Sequence, residues 1–478
     1  MKALKKKSLN AFLWDFGGTF GKKGLSFITS IFLARLLTPE EFGIVGMAMV
    51  FISLFQIFSD VGFTKGLIQS QQNTSVTYSS IFYINFGLGF ILTVGVYFLA
   101  PFVGDFYENQ QVSEILQYLS ILFVLSSFNI VQQTIMEKEL NMKVLNIRTI
   151  SAQIVGAFVG ITMAFQGYGV FSLVAQIITA SIVTTIFLWT VTKWYPKLEF
   201  SKNEVKRLFS FSAYLFIDQI ISRFFKEINT LFIGKVFTAS TLGFFTRASS
   251  LNKLITRLSS TSLRKVFFPV LSQLQDDDES FKKVYYKLVA VSSFLSFGLT
   301  GFLFIMGDSL IIGLFGNKWE PSIIIFQILI LKGYTYPISV LIGNSFLSKG
   351  KSKHLFYISS VRKIFTIPPL VIGYFYGLIP FVITVVIFSS VGCMFNMIAV
   401  QMFNGLSFWK HFKWVLEGII TVSLFILPYY LYLKESTIYI EIAYALFYSF
   451  IYLAVCYLRK HDGFVFLIEN SKRLIFKK

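Results

Sequence analysis

Apolar stretches long enough to cross a bilayer, about 20 residues each, recur from one end of the chain to the other. Turn signals separate them: Thr38-Pro39, Gly104-Asp105, Gly167-Tyr168-Gly169, Tyr195-Pro196 and Gly316-Asn317. The pattern predicts helical spans near 10–36, 43–69, 79–103, 114–136, 147–166, 169–192, 208–236, 241–268, 286–307, 321–348, 355–376, 378–402, 411–432 and 437–458. No polar stretch between them is long enough to fold alone. The expected class is an all-α integral membrane protein of about fourteen transmembrane helices.

Composition agrees with this reading. Of 478 residues, 55% are hydrophobic and 14% charged, and 57 are Phe. A soluble domain carries nearer 25% charged residues, so lipid must solvate much of this surface. Lys2, Lys5, Lys6 and Lys7 before the first apolar run resemble a signal-peptide start, but Asp15, Lys22 and Lys23 interrupt that run. It reads as a retained first helix.

The net charge of +19 would point to nucleic acid in a soluble protein. Here loop position gives it another meaning. Fourteen spans put both termini on one face. Taking that face as cytoplasmic, its segments hold 30 of the 43 Lys and Arg, and the opposite loops hold four: Arg35, Lys235, Lys318 and Lys434. The asymmetry follows the positive-inside rule and excludes nucleic acid as a partner. Span 241–268, with Arg247, Lys253, Arg257 and Arg264, fails on hydropathy. Deleting it would turn every later basic loop outward, so parity makes it a span.

A repeat of 200 residues supports the same count. Ile28, Phe32, Thr38, Gly43, Ala48, Leu54 and Ser59 meet identical residues at 228, 232, 238, 243, 248, 254 and 259. Lys23, Arg35 and Lys65 meet Arg223, Lys235 and Lys265. Six helices, a basic loop at 193–207 and six more in the same orientation fit parallel repeats. The expected organisation is a lobe of helices 1–6 (1–203), a lobe of helices 7–12 (204–404), and two further helices with a tail (405–478).

Charges placed deep in a bilayer cost about 2.5–3.5 kcal/mol each on insertion scales, and they tend to face a cavity. Lys22, Lys23, Arg223, Lys226, Arg247, Lys253, Arg257 and Lys332 form the candidate cationic cavity, suited to a phosphate or diphosphate. Asp60, Asp218 and Glu227 are candidate ion-coupling carboxylates, or partners in helix–helix salt bridges. Arg223 and Glu227, four residues apart, could instead pair with each other. Lys65 and Arg264 read as snorkelling to the interface. Asp276-Asp277-Asp278-Glu279 reads as a solvated turn, and Gly156-x-x-x-Gly160 as helix packing. Cys393 and Cys456 lie in apolar segments and imply no disulfide or thiolate site. His354, His411 and His461 lack metal-ligand spacing. No phosphate-binding loop and no Ser/His/Asp arrangement occurs, so neither an ATPase nor an enzyme is expected.

The segments ARLLTPEEFGIVGMAMVF, SDVGFTKGLIQ, GYGVFSLVAQ, IGKVFTASTLGFFTRA, FPVLSQLQDD and LFGNKW resemble the polysaccharide transport family. That family lies in the multidrug/oligosaccharidyl-lipid/polysaccharide exporter superfamily, and the likeness runs to about residue 400. It is to O-antigen flippases and colanic-acid exporters. The resemblance implies two six-helix lobes around a central cavity, plus two helices. It implies a non-enzymatic flippase in the bacterial inner membrane, both termini cytoplasmic. The expected substrate is an undecaprenyl-diphosphate-linked oligosaccharide, moved to the outer leaflet by alternating access. No cofactor is implied beyond coupling to an H+ or Na+ gradient, and partners would be glycan polymerase and chain-length machinery. A multidrug exporter of the same superfamily and a polytopic glycan polymerase or ligase are the rivals. The first would bind cations, and the second needs larger outside loops.

Overall fold

A computed structural model describes residues 2–433 and 437–475; side chains at 2–13, 15–16, 210–215, 254–266 and 469–475 lie outside the description. Every described element is helical. The chain forms two compact units, Met1–Gly243 and Phe244–Lys478. The boundary falls one helix beyond the seam at 203/204.

The first unit holds α1 (Lys2–Leu36), α2 (Pro39–Phe55), α3 (Phe63–Gln69), α4 (Ser75–Tyr107), α5 (Gln110–Lys138), α6 (Met142–Phe165), α7 (Phe171–Val191) and α8 (Lys202–Val236). It also holds the start of α9 (Ala239–Gln273). The second unit continues with α10 (Asp278–Ile305), α11 (Gly307–Phe315), α12 (Ser322–Ile330), α13 (Thr335–Ser348), α14 (Ser352–Ile364) and α15 (Ile367–Tyr376). It ends with α16 (Leu378–Asn404), α17 (Phe408–Pro428), α18 (Ile438–Leu458) and α19 (Asp462–Ile475).

Local chemistry sets these boundaries. Thr38 starts α2 with a reciprocal cap: its hydroxyl accepts from the Glu41 amide at 3.3 Å, and its amide donates to the Glu41 carboxylate at 2.6 Å. Thr74 and Thr77 repeat this arrangement at α4. Asp277 caps α10 through the amides of Glu279 and Ser280, and Asp278 pairs with Lys349 at 2.5 Å. The acidic run is therefore a helix cap and an ion pair. Hydrogen bonds from the Ser280 side chain and amide, with a smaller contribution from the Glu279 amide, hold the Asp277 carboxyl below its ordinary range. Gly156 and Gly160 face Gln176 and Ala180 at distances that leave no room for a Cβ, so this spacing does pack α6 on α7.

Among the described residues, eleven helices are long and apolar enough to cross a membrane. The remaining three expected spans coincide with α1, α8 and α9. Each is 35 residues long, about 50 Å, but polar. Contacts within the units show where their ends lie. Trp14 of α1 accepts from Asn146 and sits under Lys143, at the basic face of α6. Thr77 Oγ1 donates to Glu204 at the start of α8, again at the basic face. Lys235 at the end of α8 meets Glu108 at 2.9 Å on the opposite face and holds that carboxyl below its usual range. Phe244 of α9 packs on Trp319, and four residues separate the end of α9 from the start of α10.

The 200-residue repeat is visible in the element boundaries. Lys2–Leu36 and Lys202–Val236 are offset by that period, as are the starts of α2 at Pro39 and α9 at Ala239. Thr238 caps α9 through the Thr241 amide, as Thr38 caps α2. Lipid exposure fits the membrane class. Phe98, Phe102 and Phe158 are about 70% exposed, which a water-facing surface seldom shows for so many aromatics.

Candidate functional site

In the first unit, α2 stops before its expected end. A tighter turn covers Gln56–Ser59, and Val61 and Gly62 then adopt positive φ of 47° and 82° before α3 begins. A β-branched residue in that region is strained. The break is held by two of the candidate residues. Arg223 Nε donates to the Ser53 carbonyl at 3.1 Å. That carbonyl lies in the last turn of α2, where helix acceptors lack internal partners and a cation is favoured. Asp60 Oδ1 accepts from the Thr64 amide at 2.9 Å and hydroxyl at 2.8 Å, at the start of α3. Lys65 and Glu137 lie nearby.

The other first-unit candidates lie on α1, which packs on α6, and on α8. Lys22 and Lys23 are half-buried on α1; Asp218 and Lys226 are exposed on α8. Glu227 lies 3.9 Å from Lys226. The alternative pairing of Glu227 with Arg223 is not formed, because Arg223 turns to the backbone of α2 instead.

In the second unit, Arg247 is 8% exposed and packs against two rings that touch each other edge-on, 4.9 Å from the Phe315 centroid and 5.0 Å from Trp319. A guanidinium is flat and weakly hydrated, which suits it to this aromatic corner. Lys253, exposed on α9, and Lys332, half-buried in the turn between α12 and α13, are close enough to repel each other. These two are 79 positions apart, and only the fold brings them together. The Arg257 side chain lies outside the described residues. No group of three or more His, Cys, Asp or Glu placed to hold a metal occurs among the described residues.

The candidates therefore divide into two sets. Lys22, Lys23, Asp60, Asp218, Arg223, Lys226 and Glu227 belong to the first unit, and Arg247, Lys253 and Lys332 to the second. Sequence reasoning missed the anchoring roles of Arg223 and Arg247. The signal for Arg223 was the Ser59-Asp60-Val61-Gly62 run, which breaks a helix; the rings around Arg247 are distant in sequence.

A family model described as polysaccharide biosynthesis protein matches residues 32–324. The chain is 25% identical over 373 residues to the lipopolysaccharide biosynthesis protein WzxC of Escherichia coli K12, covering 78% of this chain and 76% of that one. It is 23% identical over 354 residues to the succinoglycan biosynthesis transport protein ExoT of Rhizobium meliloti, covering 74% and 72%. The structure is similar to the lipid II flippase MurJ in an inward closed conformation, with a TM-score of 0.75 at 14% identity over 94% of this chain and 99% of that one. It is also similar to an inward-facing multidrug resistance MATE transporter, with a TM-score of 0.62 at 14% identity over 87% and 96%. At such identity the likeness establishes the fold that MurJ and MATE transporters share. With most of its N-terminal three-fifths matched by the family model, the chain belongs to the polysaccharide biosynthesis protein family.

Proposed function

We propose that this chain is a flippase for lipid-linked oligosaccharide. It moves an undecaprenyl-diphosphate-linked glycan from the cytoplasmic to the outer leaflet of the inner membrane. Fourteen crossings, with both termini cytoplasmic, underlie this reading. Lobes at 1–203 and 204–404 alternate access, with 405–478 appended. The relatives carry names of lipopolysaccharide and succinoglycan biosynthesis proteins, and the fold is shared with a lipid II flippase.

The observation that carries the proposal is the match to polysaccharide biosynthesis proteins together with a fold shared with a lipid II flippase. Lys253 and Lys332, cations of the second unit that lie near each other, are where a diphosphate headgroup would bind, while its lipid tail stays in the bilayer. The chain does no covalent chemistry in this scheme. Asp60, Asp218 and Glu227 remain the groups through which an H+ or Na+ gradient would drive transport, and polymerase and chain-length machinery would receive the flipped unit.

The test replaces both cations, as Lys253→Glu/Lys332→Glu, in a strain where this chain is the only flippase. Surface glycan is expected to disappear, with lipid-linked repeat units accumulating on the cytoplasmic leaflet. Normal glycan export from normally inserted protein would overturn the assignment. The fold is also that of multidrug exporters. Drug hypersensitivity of a deletion strain with unchanged surface glycan would establish that reading instead.

A further inference from the structure

A polar cavity lies within the second unit, lined by none of the candidate cationic or ion-coupling residues. It has a volume of about 260 Å³ and sits where α10, α17, α18 and the start of α19 meet at the basic face. Its charged lining is Lys413 and Glu417 from α17, Arg459, Lys460 and His461 from the end of α18, and Asp462 from α19. Phe294, Trp414 and Tyr452 form its apolar wall. The wall is rigid: Tyr452 donates to the Phe294 carbonyl at 2.7 Å, and the two rings stack at 5.6 Å. The other side is fixed by Gly463, where a Cβ would overlap the backbone of Ala290 and Val291.

The turn at its mouth is strained. Lys460 has φ of 49°, while His461 N donates to the Cys456 carbonyl at 2.9 Å and closes the end of α18. This closure normally places glycine at the left-handed position. A lysine there keeps a charged side chain at the cavity at the expense of backbone comfort, a combination typical of functional sites.

The charges do not cancel. Lys413 stands 4.0 Å from Glu417, and Glu417 and Asp462 both lie near His461. Arg459 and Lys460 make no ion pair or side-chain hydrogen bond among the described residues, which leaves one positive charge in excess with His461 neutral. The volume lies just below the range of drug-sized pockets, about 300–1,000 Å³, a size suited to a single small headgroup. Beside the cavity, Leu453, Tyr457 and Leu458 of α18 and Leu416 and Ile420 of α17 present exposed apolar surface. Basic pockets between membrane helices at the cytoplasmic side suit lipid headgroups.

We propose that this cavity binds the phosphodiester headgroup of an anionic glycerophospholipid, its acyl chains lying along α17 and α18. Arg459 supplies a bidentate contact to phosphate oxygens and Lys460 a point charge. The site is separate from the glycan-flipping reading, and each can fail without the other.

The test uses the purified full chain in mild detergent and titrates phosphatidylglycerol, phosphatidylcholine and inorganic phosphate, with bound lipid counted by native mass spectrometry. Phosphatidylglycerol is expected to bind in preference to phosphatidylcholine. The Arg459→Gln/Lys460→Gln variant is expected to lose about tenfold or more in phosphatidylglycerol affinity, from two lost cation contacts. Lys283→Gln/Lys353→Gln, which removes the same charge from exposed positions elsewhere on this face, is expected to bind as the unaltered chain does. Equal loss in both variants would reduce the effect to general surface charge and overturn the site. Unchanged binding in the Arg459/Lys460 variant would overturn it too. Inorganic phosphate that competes as strongly as the lipid would overturn the lipid assignment. A circular dichroism melt of each variant separates loss of the site from loss of the fold.

Discussion

Gly43 and Gly243 are one repeat apart, and each faces the other's helix start. A Cβ on Gly43 would overlap the carbonyl of Ala239, and a Cβ on Gly243 would overlap the carbonyl of Pro39. The two contacts are reciprocal, so α2 and α9 meet through Pro39-x-x-x-Gly43 and Ala239-x-x-x-Gly243, backbone against backbone. Gly243→Ala therefore cannot be absorbed by a flexible side chain; the helix starts must separate. Forcing an extra carbon into such a contact costs about 1–3 kcal/mol. The helix-propensity gain of Ala over Gly, about 1 kcal/mol, offsets part of it, leaving a net loss of up to about 2 kcal/mol. Gly43→Ala should cost the same. The double variant should cost less than the sum, since one substitution already parts the helices. Gly87→Ala and Gly95→Ala on α4 are the controls: nothing lies within 4 Å of a Cβ at either position, so propensity alone acts and stability should hold or rise. Thermal unfolding of purified variants, followed by size-exclusion chromatography, reads all of these. A Gly243→Ala protein as stable as its parent, with the α4 variants behaving identically, would refute the close approach.

Three further outcomes are expected. Arg247→Ala removes a guanidinium packed against both Phe315 and Trp319, and should lower stability by about 2–3 kcal/mol; Arg247→Lys keeps the charge but not the flat face and should cost about 1 kcal/mol, both read by denaturation midpoint. Lys332→Met relieves repulsion with Lys253 and should raise the melting temperature while impairing glycan export, a trade-off common where charge serves function; a fall in melting temperature would contradict it. Burial holds the His461 imidazole below its ordinary value of 6.5. The folded state then binds fewer protons than the unfolded one, so His461 stabilises fully above about pH 6.5 and loses that contribution as pH falls through its folded value. Melting temperatures of the parent and His461→Gln between pH 5 and 8 should converge as pH falls, and parallel curves would contradict this.

The helical class followed from solvent physics: inside lipid only helices and closed barrels satisfy the backbone, and continuous apolar runs of about 20 residues suit the helix. The repeat also foretold more than its identities implied. Thr38 and Thr238 are both caps, and Gly43 and Gly243 are both points of close approach. What the pattern could not supply was the mutual contact of the two glycines, because a linear offset says nothing about which surfaces meet. The same limit explains the basic pocket near α19. Its charges come from residues 413, 417 and 459–462, and in the sequence they looked like ordinary orienting loop charges.

The candidate site shows where a charge census stops being informative. Insertion cost marks every intramembrane cation as exceptional, but three different arrangements meet that cost here. Arg223 offsets it by capping the carbonyl end of a broken helix. Arg247 offsets it by packing against two aromatic rings. Lys253 and Lys332 lie near each other, which adds repulsion between the two. A residue held by a carbonyl or a ring has a structural reason to be there even in the absence of ligand, whereas a like-charged pair gains from any anion that binds beside it. The lysine pair is therefore the sharper test of substrate binding, while Arg223 and Arg247 each shape helices of their own unit. The distinction is measurable: neutralising Arg223 or Arg247 should lower stability and export together, and neutralising Lys332 should separate them.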